Sequence, residues 1–179
     1  MKREVSILFG LSGVGKTTMG RRVIDQETGI SHVSASDLLK AAHSQTGEEL
    51  RTAQQDRLVE NQQVLASALS EWPFPAGTRH ILLDAHSVID NDKVLVDIPV
   101  DAIASLKPSR LIFLTDDPAA IATRRLSGDR PRPVRTTSEL NEHQERSLTV
   151  CRGYSEEMGV SLVVVKSGDL AGFRAALAI

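Results

Sequence analysis

The sequence predicts an α/β layer fold built on a parallel sheet. Three observations carry that expectation. Short continuous apolar runs recur along the chain, stretches with helical periodicity separate them, and a glycine-rich loop joins the first run to the first helix. A length of 179 residues points to one domain spanning 1–179. A chain of that size buries roughly 70% of the surface its unfolded form exposes, so no disulfide or metal is needed to hold it. Hydrophobic residues are 41% and charged residues 25%, which excludes disordered, collagen-like and low-complexity chains. With 21 basic and 23 acidic side chains the net charge is −2, so no bulk positive charge is available and a nucleic-acid partner is not expected. No apolar run approaches ~18 residues, so no membrane span is expected, and the run at 5–9 is too short for a signal peptide. Cys151 is the only cysteine. That rules out an intramolecular disulfide and a cysteine zinc site, and reads as a buried structural thiol in a reducing, cytoplasmic compartment.

The runs at 5–9, 30–33, 80–83, 110–114 and 161–165 read as strands covered on both faces, because they are continuous rather than alternating. A helix over 16–26 follows the first. Helices over 36–43 and 48–71 follow the second, the longer one carrying Leu50, Leu58, Leu65 and Leu69 on one stripe. Asp117 caps a helix that Pro118 opens and that runs to Leu126. Thr136 and Glu139 have capping-box spacing for a helix reaching Met158, which Gly159 stops. A closing helix over 169–178 sets Leu170, Phe173 and Leu177 in register. Two stretches lack periodicity. The first, 72–79, reads as a surface connection in which Trp72 and Phe74 partly plug the core. The second, 127–135, holds Arg130, Arg132 and Arg135 with two prolines.

Gly10-Leu11-Ser12-Gly13-Val14-Gly15-Lys16-Thr17 fits G-x-x-x-x-G-K-[ST], with a strand before it and a helix after it, as the phosphate loop requires. Chance gives such a match in roughly 1% of chains this long or fewer. The glycines let main-chain amides approach phosphate oxygens, and the next helix adds unpaired donors and a partial positive charge. The loop and its helix start, from Leu11, Ser12, Gly13, Val14 and Gly15 to Lys16, Thr17 and Thr18, are therefore the expected ATP site. Lys16 is expected on the β- and γ-phosphates, and the Thr17 hydroxyl on Mg2+. Asp84 ends the apolar run Ile81-Leu82-Leu83, where a carboxylate steadies the ion; a plain helix or turn cap is the alternative. His86 follows on the same face as Asp84, either to position substrate or water or as a solvated loop histidine.

His32-Val33-Ser34-Ala35-Ser36-Asp37-Leu38-Leu39-Lys40 resembles the acceptor-nucleotide segment of adenylate kinases, roughly I-S-T-G-D-x-L-R. Leu82-Leu83-Asp84-Ala85-His86-Ser87-Val88-Ile89 resembles the D-T-H-S stretch of the archaeal-type members, as do Glu142-His143-Gln144 with Tyr154, and Leu106-Lys107-Pro108 before a strand. The resemblance runs from about residue 4 to 166. It implies a P-loop three-layer sandwich: a five-stranded parallel sheet in the order 2-3-1-4-5 with helices on both faces, an acceptor segment over 34–71 and a short arginine lid over 127–136. It also implies transfer of a phosphoryl group from ATP to AMP with Mg2+. On this resemblance Ser34, Asp37, Lys40, His86 and Ser87 line the acceptor side. Arg51 reaches the acceptor phosphate, or is an ordinary surface arginine. Arg125 lies against adenine, and Arg130 joins Lys16 and Asp84 in catalysis. One arginine on the moving phosphoryl group is worth about 10³–10⁵ in rate. Arg132, Arg135 and Arg146 stand between such a role and a solvated basic loop, while Arg124 and Arg125 can also cap their helix. Archaeal-type members suggest trimers, so the resemblance implies a homo-oligomer. His32, His43 and His80 have no metal-like pairing and read as structural.

The chain departs from the familiar pattern in several places. Asp84-Ala85-His86-Ser87 replaces a G-F-P-R stretch, Ala35-Ser36-Asp37 replaces T-G-D, Lys40 replaces an arginine, and the long lid is absent. The acceptor is thus expected to be a nucleoside monophosphate or another small phosphoacceptor. The alternatives are a P-loop kinase of a non-nucleotide small molecule, and an adenylate-kinase-like ATPase acting as an interaction module.

Overall fold

The computed structural model describes residues 3–43, 64–128 and 132–178. The central strand is β1 (Glu4–Phe9), whose last five residues are all buried. Beside it lies β3 (His80–Asp84), then β2 (Ile30–Ser34). On the other side lie β6 (Arg110–Thr115) and β7 (Leu162–Lys166). Every pairing is parallel, in the order β2-β3-β1-β6-β7. Because a separate hairpin takes numbers 4 and 5, this is the expected 2-3-1-4-5 order.

Strand alternation divides the core into two layers. Ile7, Phe9, Ile81, Leu83, Leu111 and Phe113 face α2 (Ala35–His43), α3 (Leu65–Glu71), α4 (Val100–Ala104) and α6 (Thr137–Met158). Leu8, Leu82, Ile112 and Leu114 face α1 (Lys16–Ile24), α5 (Pro118–Ser127) and α7 (Leu170–Leu177). Leu65 and Leu69 are core residues as expected; Leu50, Leu58 and Arg51 lie outside the described residues, as does the first part of the expected 48–71 helix. Trp72 and Phe74 are half-buried against the core, with Arg3 over the Phe74 ring at 5.3 Å.

The local signals match the elements they predict. Asp117 accepts from the amides of Ala119 and Ala120, with Pro118 in the first turn. Thr136 and Glu139 close a full capping box, and Gly159 ends α6 in the left-handed conformation at φ 63°. The structure adds two elements that the sequence reading passes over: α4 and an antiparallel hairpin of β4 (Val88–Asp90) and β5 (Leu95–Asp97). Three-residue strands are too short to show a period. The turn between them is held instead by Asn91, whose Oδ1 accepts from the amides of Lys93 and Val94. Tyr154 from α6 donates to the Ile98 carbonyl, and Ser87 pairs with Ser147 at 2.7 Å, so the hairpin is seated on α6. No helix among the described residues is long and apolar enough to cross a membrane.

Candidate phosphate-transfer site

All five parallel strands point the same way, so their carboxyl ends share one edge, and the loops there carry the candidate residues. The register puts Leu8 and Ser34 level with Asp84 on the two neighbours of β3. The chain therefore leaves β1 into the glycine-rich loop right beside the Asp84 carboxylate. Gly10, Gly13 and Gly15 have φ of 143°, 90° and 109°, which side chains rarely allow. At Gly10 a Cβ would also stand 2.6 Å from the Leu114 carbonyl oxygen, so the tight exit from β1 needs glycine.

Lys16 folds back over this loop. Its Nζ donates to the Gly10 carbonyl at 2.7 Å and the Leu11 carbonyl at 3.2 Å, and lies 3.6 Å from Asp84 Oδ1. Burial pulls its pKa below the usual lysine value, and the Asp84 charge opposes that pull. Thr17 Oγ1 reaches Asp84 Oδ2 at 3.5 Å. A hydroxyl and a carboxylate oxygen side by side are hard donors of the kind Mg2+ takes with phosphates and water, so these two residues fit the ion. No cluster of three or more His, Cys, Asp or Glu side chains with metal-binding geometry occurs among the described residues.

Cations ring the loop. Arg124 Nε donates to the Gly13 carbonyl at 2.7 Å, and its other arm pairs with Asp116 at 2.5 Å. Gln144 of α6 clamps Asp116 by its main chain, accepting from the amide at 3.0 Å and donating to the carbonyl at 3.1 Å. Arg125 lies across Gly13, where a Cβ would stand 2.7 Å from its Cγ, and bonds the Pro133 carbonyl at 2.9 Å. Arg132 Nε donates to Ser12 Oγ at 2.9 Å. The His86 ring is solvent-exposed yet walled by these groups. The Lys16 charge, then crowding by protein, then Arg125 and Arg132 drive its pKa well below the usual value, and a hydrogen bond with the Gly10 backbone only partly offsets them. Such a surround is poor for an imidazolium and good for an anion.

The sequence profile of the AAA-domain family matches residues 9–141, nearly three quarters of the chain. The chain belongs to this family. The match spans the loop, Asp84 and the arginines that surround them. Curated relatives include the adenylate kinase of Methanococcus vannielii, 25% identical over 175 residues that cover 93% of this chain and 91% of that protein. The adenylate kinase of Methanocaldococcus jannaschii is 23% identical over 180 residues, covering 94% and 92%. Among solved structures, a shikimate kinase from Bacteroides thetaiotaomicron superposes with a TM-score of 0.64 at 13% identity, covering 98% of this chain and 99% of that one. This AAA domain therefore has the P-loop kinase fold.

Within this AAA domain the expected acceptor residues separate into groups. Ser34 Oγ donates to Asp37 Oδ2 at 2.6 Å and accepts from the Asp37 amide, while Lys40 pairs with Asp37 at 3.3 Å. These three form one partly exposed polar patch at the start of α2, with Ser34 level with Asp84. His86 joins the loop and the arginines. Ser87 does not: its buried hydroxyl faces Ser147 in α6. Arg130 lies outside the described residues. Arg135 is held away from the loop by Asp90, with contacts at 3.1 and 3.0 Å, and Arg146 by Asp97 at 2.9 Å. Two more residues lie close to the loop and Asp84. Arg124, one of the candidate arginines, bonds the Gly13 carbonyl, and His32, read as structural, stands 4.0 Å from Asp84 Oδ2. Parallel pairing of β2 with β3 is the signal that places His32 there.

Proposed function

We propose that this ATP-dependent phosphotransferase moves the γ-phosphoryl group of ATP to a nucleoside monophosphate, with AMP as the acceptor. One observation carries the reading: Lys16, Thr17, Asp84 and His86 meet the glycine-rich loop at one point, and Arg125 and Arg132 approach it from above.

The residues divide the work. The amides from Gly13 to Thr18 face the donor phosphates, with the positive end of α1 behind them. Lys16 exchanges its two carbonyl partners for β- and γ-phosphate oxygens, which offset the burial that weakens its charge. Thr17 and Asp84 would hold Mg2+, which when bound neutralises charge on the β- and γ-phosphates. Arg125 and Arg132 contribute cations where charge spreads during transfer. His86, held toward its neutral form by Lys16, Arg125 and Arg132, stands beside the loop, able to donate a hydrogen bond without adding charge. Ser34, Asp37 and Lys40 form the acceptor wall. An acceptor phosphate oxygen is already anionic near neutral pH, so the chain needs no general base. The similarity to two archaeal adenylate kinases over more than nine tenths of the chain favours AMP.

A second reading, a kinase of a non-nucleotide small molecule, is favoured by the exposed Asp37 carboxylate, which could orient a hydroxyl acceptor. An acceptor screen separates the two. The purified protein is incubated with Mg-ATP and each nucleoside monophosphate, then with hydroxyl metabolites such as shikimate, and products are resolved by ion exchange. ADP made at the expense of AMP supports the first reading. Turnover only with a hydroxyl acceptor supports the second, and phosphate release with no phosphorylated product supports an ATPase.

A further inference from the structure

Asp84 has three polar side chains around its carboxylate. Lys16 approaches one oxygen and Thr17 the other. The third is His32, whose Nε2 is 4.0 Å from Oδ2. That nitrogen is buried and has no hydrogen-bond partner among the described residues. A buried polar atom left without a partner is destabilising, so its position needs a reason. Packing alone does not supply one, because the helix opposite makes room for the ring. A Cβ on Gly20 of α1 would stand 3.0 Å from His32 Cδ2. Glycine inside a helix is less favourable than alanine, and here it admits the imidazole. Strand geometry then aims it. Ser34 is level with Asp84, and His32 lies two residues earlier on the same face.

We propose that His32 is a positioning residue for Asp84. When a bound polyphosphate draws Lys16 away, Asp84 loses its nearest cation, and the Nε2–H of His32 takes Oδ2 as its acceptor. The gap is about 1 Å longer than an ordinary N–H···O bond, within reach of a turn of the carboxylate. The carboxylate is then held in the orientation that offers an oxygen beside Thr17. This inference rests on the phosphotransferase reading of the site. Groups that orient a metal-binding side chain typically change metal affinity by about 10–100-fold when removed.

The test is Mn2+ binding, read as free Mn2+ by electron paramagnetic resonance, with an ATP analogue whose β–γ bridge cannot be cleaved. His32→Leu is expected to weaken Mn2+ about tenfold in the ternary complex, while metal-free nucleotide affinity stays unchanged. His32→Gln, which returns an N–H near the position of Nε2, is expected to restore most of the loss. Gly20→Ala, which presses on the ring without removing it, is expected to fall between and serves if His32→Leu does not fold. Unchanged Mn2+ affinity in a folded His32→Leu protein overturns the proposal, as does a His32→Gln protein no better than His32→Leu. If the unaltered protein shows no nucleotide-dependent Mn2+ site, the phosphotransferase reading itself fails.

Discussion

Arg124→Ala tests whether the glycine-rich loop is held open from behind. Arg124 donates to the Gly13 carbonyl at 2.7 Å and pairs with Asp116, which Gln144 fixes to α6. With the Gly13 carbonyl turned toward Arg124, its partial negative charge would be kept away from the phosphates of the proposed donor. A hydrogen bond from a charged donor is worth about 1.5–3 kcal/mol when buried. The Arg124 side chain is 41% exposed, however, so water replaces part of it. The exposed share of the ion pair adds little, about 0.2–1 kcal/mol. A loss of about 2 kcal/mol in stability is expected, which for a chain of this size lowers Tm by about 4–8 °C. Nucleotide affinity is expected to fall about tenfold, equivalent to ~1.4 kcal/mol. The assays are thermal unfolding and fluorescence titration with ADP. Asp116→Asn, which loosens Arg124 from a position behind the loop, is expected to weaken ADP about two- to fourfold, the smaller loss left when the donor itself is kept. A protein that loses stability but binds ADP as before would refute the argument, because the brace would then serve the fold and not the loop.

The other predictions concern titrating groups. His86 is expected to stay neutral in nucleotide-free protein at pH values where an ordinary histidine has gained a proton, and to rise toward the usual 6.5 when a bound polyphosphate offsets Lys16, Arg125 and Arg132; an NMR titration of its ring protons reads both. Burial pushes the Cys151 thiol up to about 12, so iodoacetamide at pH 8 is expected to label it only after denaturation. Burial alone would raise the Asp90 carboxyl, but hydrogen bonds from Arg135 and from the Asp92 amide hold it below the usual 3.8. Its stabilising share is therefore complete above the unfolded value and lost as pH falls through the lower folded one. Urea unfolding is expected to find Asp90→Asn weaker than the unaltered protein at pH 7, with the difference closing once the pH drops below 3.8.

What was legible in the sequence follows from the range of each interaction. Parallel strands covered on both faces are written as unbroken apolar runs, so Ile81 to Leu83 and Leu111 to Leu114 could be read directly. Asp117 and Thr136 act on amides two or three residues away, which makes caps local text. The phosphate loop is legible for the same reason, since its glycines, Lys16 and Thr17 are contiguous. The β4–β5 hairpin was not legible: each strand has three residues, and what holds the pair is Asn91 and the surface of α6. The arginines were hardest. Arg124, Arg125, Arg132, Arg135 and Arg146 look alike in sequence. Their partners Gly13, Pro133, Ser12, Asp90 and Asp97 mostly lie far along the chain. Only the packing of α5 and α6 against the sheet sorts them. His32 needed the strand register as well, because nothing within several residues of it signals Asp84.

The central claim is that the loop from Gly10 to Thr17, with Asp84 beside it, hands a phosphoryl group to another nucleotide. The most direct measurement follows the group itself. ATP labelled at the γ-phosphorus is incubated with AMP, Mg2+ and either the unaltered protein or Lys16→Ala. The account predicts that label appears as the β-phosphate of newly formed ADP, and that Lys16→Ala, still folded, slows this by orders of magnitude. Label recovered only as inorganic phosphate, or equal transfer by both proteins, would contradict it.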